Sequence, residues 1–268
     1  MAVHVRGVRL EWDSGGATTA PPLIWGHGLT SSRASEDRFP LVDLQRVRER
    51  FTVVRYDAHG HGETSALSDA ERGSWRELAL DQVALVDYLG IEEVILGGAS
   101  MGAATALHAA LELGERVRGL LLVIPPTGWE ERAAQVSIYD QMASIVETKG
   151  VEPLVSAAAA TAPPDPFVGT TDWAEHRAAS MRGTDPTRLA ANLRGAAHAD
   201  LPPRESLASL SIPTLVLAWS GDPGHPVSTA LHLAETLPHC ELIVSNDRAS
   251  FAAWTHHATQ FLASVTTT

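Results

Sequence analysis

The chain has 268 residues, 44% of them hydrophobic and 19% charged, the balance of one soluble globular body with a continuous core rather than a disordered or fibrous chain. Lys and Arg total 20 against 32 Asp and Glu, a formal net charge of -12 whose field repels phosphate backbones and anionic lipid, so neither nucleic acid nor membrane is an expected partner. A single cysteine, Cys240, excludes an intrachain disulfide, leaves zinc fingers and iron–sulfur clusters without thiolates, and points to a cytoplasmic protein.

Val3, Val5, Val8 and Leu10 alternate with polar residues, which predicts a hairpin arm over residues 3–12 and does not match the apolar core of an export signal. No apolar run reaches the roughly 18 to 20 residues that cross a bilayer; the run 120–124 stops at Pro125 and Pro126. Buried strands are predicted at 22–25, 51–56, 93–96 and 117–124, with helical patterns at 41–50, 75–88 and 100–113 between them. That alternation is the signature of parallel strands joined by crossover helices. Residues 126–210 then form a run of helix formers, punctuated by Gly150, by Pro163-Pro164-Asp165-Pro166 and by Pro202-Pro203. Strand pattern returns at 213–219 and 241–244, with a helix at 228–236 between them and a last helix at 251–265. The expected fold class is α/β: a mostly parallel eight-stranded sheet flanked by helices. Residues 1–125 and 211–268 make the core, and 126–210 an inserted helical cap roofing a mainly apolar pocket, in which Trp129 and Trp173 are candidate wall residues.

Gly98-Ala99-Ser100-Met101-Gly102 is a G-x-S-x-G pentapeptide set between an apolar strand and a helix. Small residues at both ends let strand and helix pass close to a serine on a sharp turn, and the helix N-terminus favours negative charge developing above it. Three further segments follow in order: Trp25-Gly26-His27-Gly28-Leu29 after a strand, Asp57-Ala58-His59-Gly60-His61-Gly62-Glu63-Thr64 after the next, and Ser220-Gly221-Asp222-Pro223-Gly224-His225-Pro226 after the seventh. With these four segments the chain resembles the α/β-hydrolase superfamily, capped serine-hydrolase type. The resemblance implies a Ser100 nucleophile, an oxyanion hole from the backbone N–H groups of Leu29 and Met101, and Asp222 as the acid that orients an imidazole. It also implies that His27 and Asp57 brace loops. His59 stands where the family has arginine.

The chain departs from that pattern at the histidine. Counted without gaps from Cys240, the family position falls on Ser250. His232 and His239 belong to the preceding helix or its end, and His256 and His257 to the final helix. His225 shares the loop of Asp222 at the carboxyl end of a strand and is the best substitute by location, with the cap residue His198 as another route. Phosphate-binding glycine spacing and HExxH spacing are absent, so neither a cofactor nor a metal is expected. The leading expectation is an enzyme that hydrolyses a small ester, lactone or related acyl substrate. A non-hydrolytic small-molecule binder on the same fold, and a lyase or carbon–carbon bond cleaving enzyme, remain as alternatives. Oligomeric state is not legible.

Overall fold

In a computed structural model, which describes residues 1–17 and 21–266, eight strands form one sheet. β1 (Ala2–Val5) and β2 (Val8–Gly15) pair antiparallel around Arg6 and Gly7, both at positive φ, the turn geometry whose twist suits a two-residue hairpin. Then come β3 (Leu23–Gly26), β4 (Val53–Tyr56), β5 (Val94–Ala99), β6 (Val117–Val123), β7 (Thr214–Trp219) and β8 (Cys240–Ser245), in the spatial order β1-β2-β4-β3-β5-β6-β7-β8. β2 joins β4 antiparallel, and every pairing from β4 to β8 is parallel. β3, β4, β5 and β7 are buried along their whole length, as parallel strands covered on both faces by helices must be.

The helices in chain order are α1 (Arg33–Glu36), α2 (Leu44–Arg48), α3 (Trp75–Tyr88), α4 (Met101–Leu113), α5 (Arg132–Lys149), α6 (Glu152–Ala160), α7 (Asp172–Arg182), α8 (Pro186–Ala197), α9 (Arg204–Ala208), α10 (Val227–Thr236), α11 (Arg248–Ala252) and α12 (Trp254–Thr266). Leu78, Leu85, Ala103, Leu107 and Leu233, from α3, α4 and α10, build the core on one face of the sheet. Leu44, Val47, Trp254, Ala258 and Leu262, from α2 and α12, build it on the other. The helices α5 to α8 lie between β6 and β7 in sequence and hold a smaller cluster of their own around Ala143, Val146, Leu154, Met181, Leu189 and Leu193. α9 returns Leu207 to the core of the sheet.

Polar ties fix these helices to the core. The buried Arg132 donates to the carbonyls of Ala199 (2.6 Å) and Ala196 (2.5 Å) and lies over the Trp75 ring at 4.1 Å, so a guanidinium with no carboxylate partner among the described residues is held by carbonyl and π acceptors. Arg188 on α8 donates to the carbonyls of Gly60 and Gly62, and the amide of Asn192 reaches Gly60 O at 3.1 Å. The hydroxyls of Ser35 and Ser180 are hydrogen-bonded across the same boundary.

Two expectations need correcting. The helix placed at 41–50 covers only Leu44–Arg48, because the Asp43 carboxylate accepts from the N–H groups of Gln45 and Arg46 and caps the helix there. The single last helix is two: Asp247 and Ser250 form a capping box that starts α11 at Arg248, and α12 starts at Trp254, whose indole N–H is held by Ser245 Oγ at 2.8 Å. Among the described residues no helix is long and apolar enough to cross a membrane.

Candidate active site

β5 ends in Gly97-Gly98-Ala99, and Ser100 follows at φ 52, ψ -111, a backbone conformation L-residues rarely adopt. The turn is tight enough that a Cβ on Gly98 or Gly102 would overlap the Gly26 carbonyl, so β3, β5 and α4 meet at a point where only glycine fits. Ser100 N–H donates to Val123 O at 2.9 Å, locking the turn to β6. The side chain of Ser100 stands over the N-terminus of α4, where the Met101 N–H is one of the helix's first donors and has no intrahelical acceptor.

The loop after β3 faces this serine. His27 accepts from Ala58 N–H through Nε2 at 3.0 Å, which leaves the proton on Nδ1, 2.8 Å from Gly28 O. Burial pushes the His27 imidazole below its ordinary range, so the ring is a neutral strut. His61, buried beside it, has Nε2 2.7 Å from Leu29 O and Nδ1 3.0 Å from His59 O. Burial and the neighbouring His27 push His61 down to about 3, so it carries one proton and donates to one of the two carbonyls. Together the two rings aim the 28–29 peptides, and the Leu29 and Met101 N–H groups donate to no acceptor among the described residues. Asp57 accepts from Arg33 N–H (2.9 Å), the Arg33 guanidinium (3.1 Å) and Glu63 N–H (3.1 Å), bracing the adjoining loop.

The acid loop follows β7. Asp222-Pro223-Gly224-His225 is a four-residue turn closed by His225 N–H to Asp222 O at 3.2 Å, with Gly224 N–H donating to Asp222 Oδ1 at 2.9 Å. A closed turn brings residues i and i+3 together: His225 Nδ1 lies 2.8 Å from Asp222 Oδ2, and His225 Nε2 lies 2.8 Å from Ser100 Oγ. The Trp219 indole N–H adds a third donor to the carboxylate at 3.0 Å. Burial raises the Asp222 carboxyl, but the His225 charge and the hydrogen bonds from His225, Gly224 and Trp219 outweigh it and hold the group well below the usual carboxylate range. The segment between α6 and α7 fastens this loop, since Asp165 N–H donates to Ser220 O at 2.9 Å and Ser220 Oγ donates to the Asp165 carboxylate at 2.5 Å.

Above the three side chains lies a cavity of about 480 Å³. Its apolar walls are Leu29, Phe39, Leu41, Ile124, Ile138, Met142, Leu154, Trp173 and Met181; its polar lining includes Ser31, Glu36, Gln135, Tyr139, His176 and Arg177. Size and lining suit a small organic ligand with a few polar groups.

The sequence profile of the alpha/beta hydrolase family matches residues 16–261. The chain belongs to the alpha/beta hydrolase family. Similar proteins include 3-oxoadipate enol-lactonase 1 of Acinetobacter baylyi, 27% identical over 83% of this chain and 79% of that one. Another is a putative carbamate hydrolase, RutD, of Pseudomonas savastanoi, also 27% identical, over 84% and 85%. A thermophilic esterase from Thermogutta terrifontis superposes with a TM-score of 0.79 at 22% identity, covering 99% of this chain and 98% of that one. The enol-lactonase from Burkholderia xenovorans superposes with a TM-score of 0.74 at 21% identity over the whole of both chains; at such identity the two superpositions speak for the fold alone.

In this alpha/beta hydrolase the alternative histidines weighed from the sequence lie elsewhere. His232 Nδ1 faces the Arg204 guanidinium at 3.2 Å, His198 closes the exposed end of α8, His239 and His256 are exposed, and none of these or His257 lines the cavity. Ser250 is engaged with Asp247 in the capping box of α11 and does not line it either. His59 has Nε2 3.1 Å from Ala66 O and Nδ1 3.5 Å from Asp81. Trp173 is a cavity wall; Trp129 is not, because its indole donates to Pro202 O at 2.9 Å and Arg204 lies over its ring. The polar lining residues from α5 and α7 carry no motif in the sequence. The missed signal was spacing: His176, Arg177 and Ser180 share one face of α7 with Trp173 and Met181.

Proposed function

We propose that this chain is a serine hydrolase of small esters or lactones, with Ser100 as nucleophile and His225 as its base in place of a histidine at position 250. One observation carries the reading: a single imidazole bridges Asp222 and Ser100 with both contacts at 2.8 Å. The names of the relatives, enol-lactonase and carbamate hydrolase, support hydrolysis of a small acyl compound.

Because ionised Asp222 can only accept, the His225 proton resides on Nδ1 and Nε2 accepts from the Ser100 hydroxyl. As Oγ attacks the acyl carbon, its proton passes to Nε2, and the imidazolium formed is stabilised by the carboxylate. The carbonyl oxygen becomes an oxyanion, held by the Leu29 and Met101 N–H groups and favoured by the positive end of α4. Collapse expels the alkoxide or, from an enol-lactone, the enolate, which takes the proton from Nε2. Water, deprotonated by the same nitrogen, then hydrolyses the acyl-Ser100 ester and restores the free hydroxyl.

The test is labelling with a fluorophosphonate followed by hydrolysis of short-chain p-nitrophenyl esters. Wild type is expected to label at Ser100 and turn over, and Ser100→Ala to do neither. His225→Ala should lower turnover by about 10² to 10⁴ while keeping the fold. Absence of labelling in folded wild-type protein would sink the hydrolase reading and leave a binder; full activity in His225→Ala would sink the base assignment.

A further inference from the structure

Residues 173, 176, 177, 180 and 181 of α7 all face the cavity, and four of them are engaged by the protein itself. Trp173 stacks on Phe167 with centroids 5.6 Å apart, and His176 stacks on Phe39 at 4.8 Å. Ser180 is hydrogen-bonded to Ser35, and Met181 packs in the cap's own apolar cluster. Arg177 is the exception. Among the described residues its guanidinium makes no hydrogen bond and no ion pair, although it lines the cavity and is desolvated enough to depress its ordinary basicity.

The other charges around the cavity do not supply the missing acceptor. Asp222 acts on Arg177 through space only, its oxygens being taken by His225, Trp219 and Gly224. Glu36 is raised to about 8 by burial and is therefore mostly protonated near neutral pH. His176 is lowered to about 4, first by burial and then by Arg38 and Arg177, and is neutral. The lining thus presents one fixed cation, with planar donors that suit a bidentate acceptor, and leaves it unmatched. A partly desolvated cation without a partner is costly, and a ligand carrying one matching anion removes that cost. One positive charge fits a monoanionic carboxylate better than a phosphate dianion.

We propose that Arg177 anchors a carboxylate of the substrate, so that this hydrolase acts on esters or lactones bearing a free carboxylate. The proposal rests on the reading of the cavity as an acyl-hydrolase site. It makes Arg177 a specificity residue that touches substrate away from the reacting carbonyl, so its loss falls chiefly on KM.

The experiment compares two p-nitrophenyl esters of equal chain length: the valerate, which is neutral, and the hemiglutarate, which ends in a carboxylate. Wild type is expected to favour the hemiglutarate in kcat/KM by about 10- to 100-fold, the worth of a hydrogen-bonded charge pair. In Arg177→Met that ratio should fall towards one through a rise in KM for the hemiglutarate, and Arg177→Lys should lie between. Glutarate should compete with the valerate ester in wild type, whereas glutaramide should not; this arm stands even if Arg177→Met fails to fold. A wild-type ratio of one or below, or a ratio unchanged in folded Arg177→Met, overturns the anchor while leaving the hydrolase reading intact. If wild type cleaves neither ester and Ser100 does not label, the hydrolase reading fails first. Calorimetry then decides the anchor alone: glutarate binding lost in Arg177→Met supports it, and no binding to wild type overturns it.

Discussion

Trp219 and His225 share one oxygen: the indole N–H and the imidazole Nδ1 both meet Asp222 Oδ2, at 3.0 and 2.8 Å. The indole is fully buried, stacked on Trp254 with Trp173 edge-on and Phe251 tilted against it, so its donor is fixed by the core rather than by the loop. Trp219→Phe removes that donor. With one donor fewer the carboxylate is held less firmly against the imidazole, and kcat should fall by about tenfold, or roughly 1.4 kcal/mol. A kcat unchanged in folded Trp219→Phe would show that the indole only packs.

Restoring a histidine at the family position should not restore a base. Ser250 is the third residue of α11, its N–H and hydroxyl both bonded to the Asp247 carboxylate at 2.8 Å. Ser250→His removes half of the capping box, at a cost of about 0.5 to 2 kcal/mol. In the double variant with His225→Ala, esterase activity should stay as low as in His225→Ala alone. Recovery of activity in the double variant would mean that position 250 can still reach Ser100.

Much of the fold was legible because its signals are local. β5 and the turn after it show in the apolar run Val94-Ile95-Leu96 and the glycines around Ser100, and the parallel order follows from alternation of strand and helix. What sequence could not give was set by tertiary context. The split at Ala253 depends on the Trp254 indole reaching Ser245, nine residues back on β8. The contact of His225 with Asp222 depends on how a Pro-Gly turn closes, which composition does not specify. The face of α7 was readable in principle, since 173, 176, 177, 180 and 181 follow helical spacing. No family motif marks it, and only the cavity beneath tells that face from the solvent side.

The close approach of β3 to α4 gives a stability prediction. A Cβ on Gly102 would overlap the backbone carbonyl of Gly26, and backbone cannot rotate out of the way as a side chain can. Gly102→Ala should therefore push α4 from the sheet, costing about 3 kcal/mol or more and yielding little soluble protein. Gly114→Ala is the control: it has positive φ, which Gly102 does not, and nothing near its Cβ, so backbone strain alone should cost about 1 kcal/mol. Equal losses in chemical denaturation would refute the steric account.

Glu36 makes a prediction about pH. Its carboxyl accepts from the Trp25 indole N–H at 2.9 Å. Burial raises it from 4.5 to about 8, outweighing the lowering by that hydrogen bond and by Arg55. The folded state thus holds a proton that the unfolded chain releases near pH 4.5, so stability falls as pH climbs through the window from about 4.5 to about 8 and levels off above it. Glu36→Gln keeps the volume and an oxygen for Trp25 while removing the ionisation. Its melting temperature should match wild type near pH 4.5 and exceed it progressively up to pH 8, by about 2 to 4 °C for each kcal/mol recovered. Melting curves for the two proteins that run parallel across that range would show that Glu36 ionises in the fold as it does in the unfolded chain.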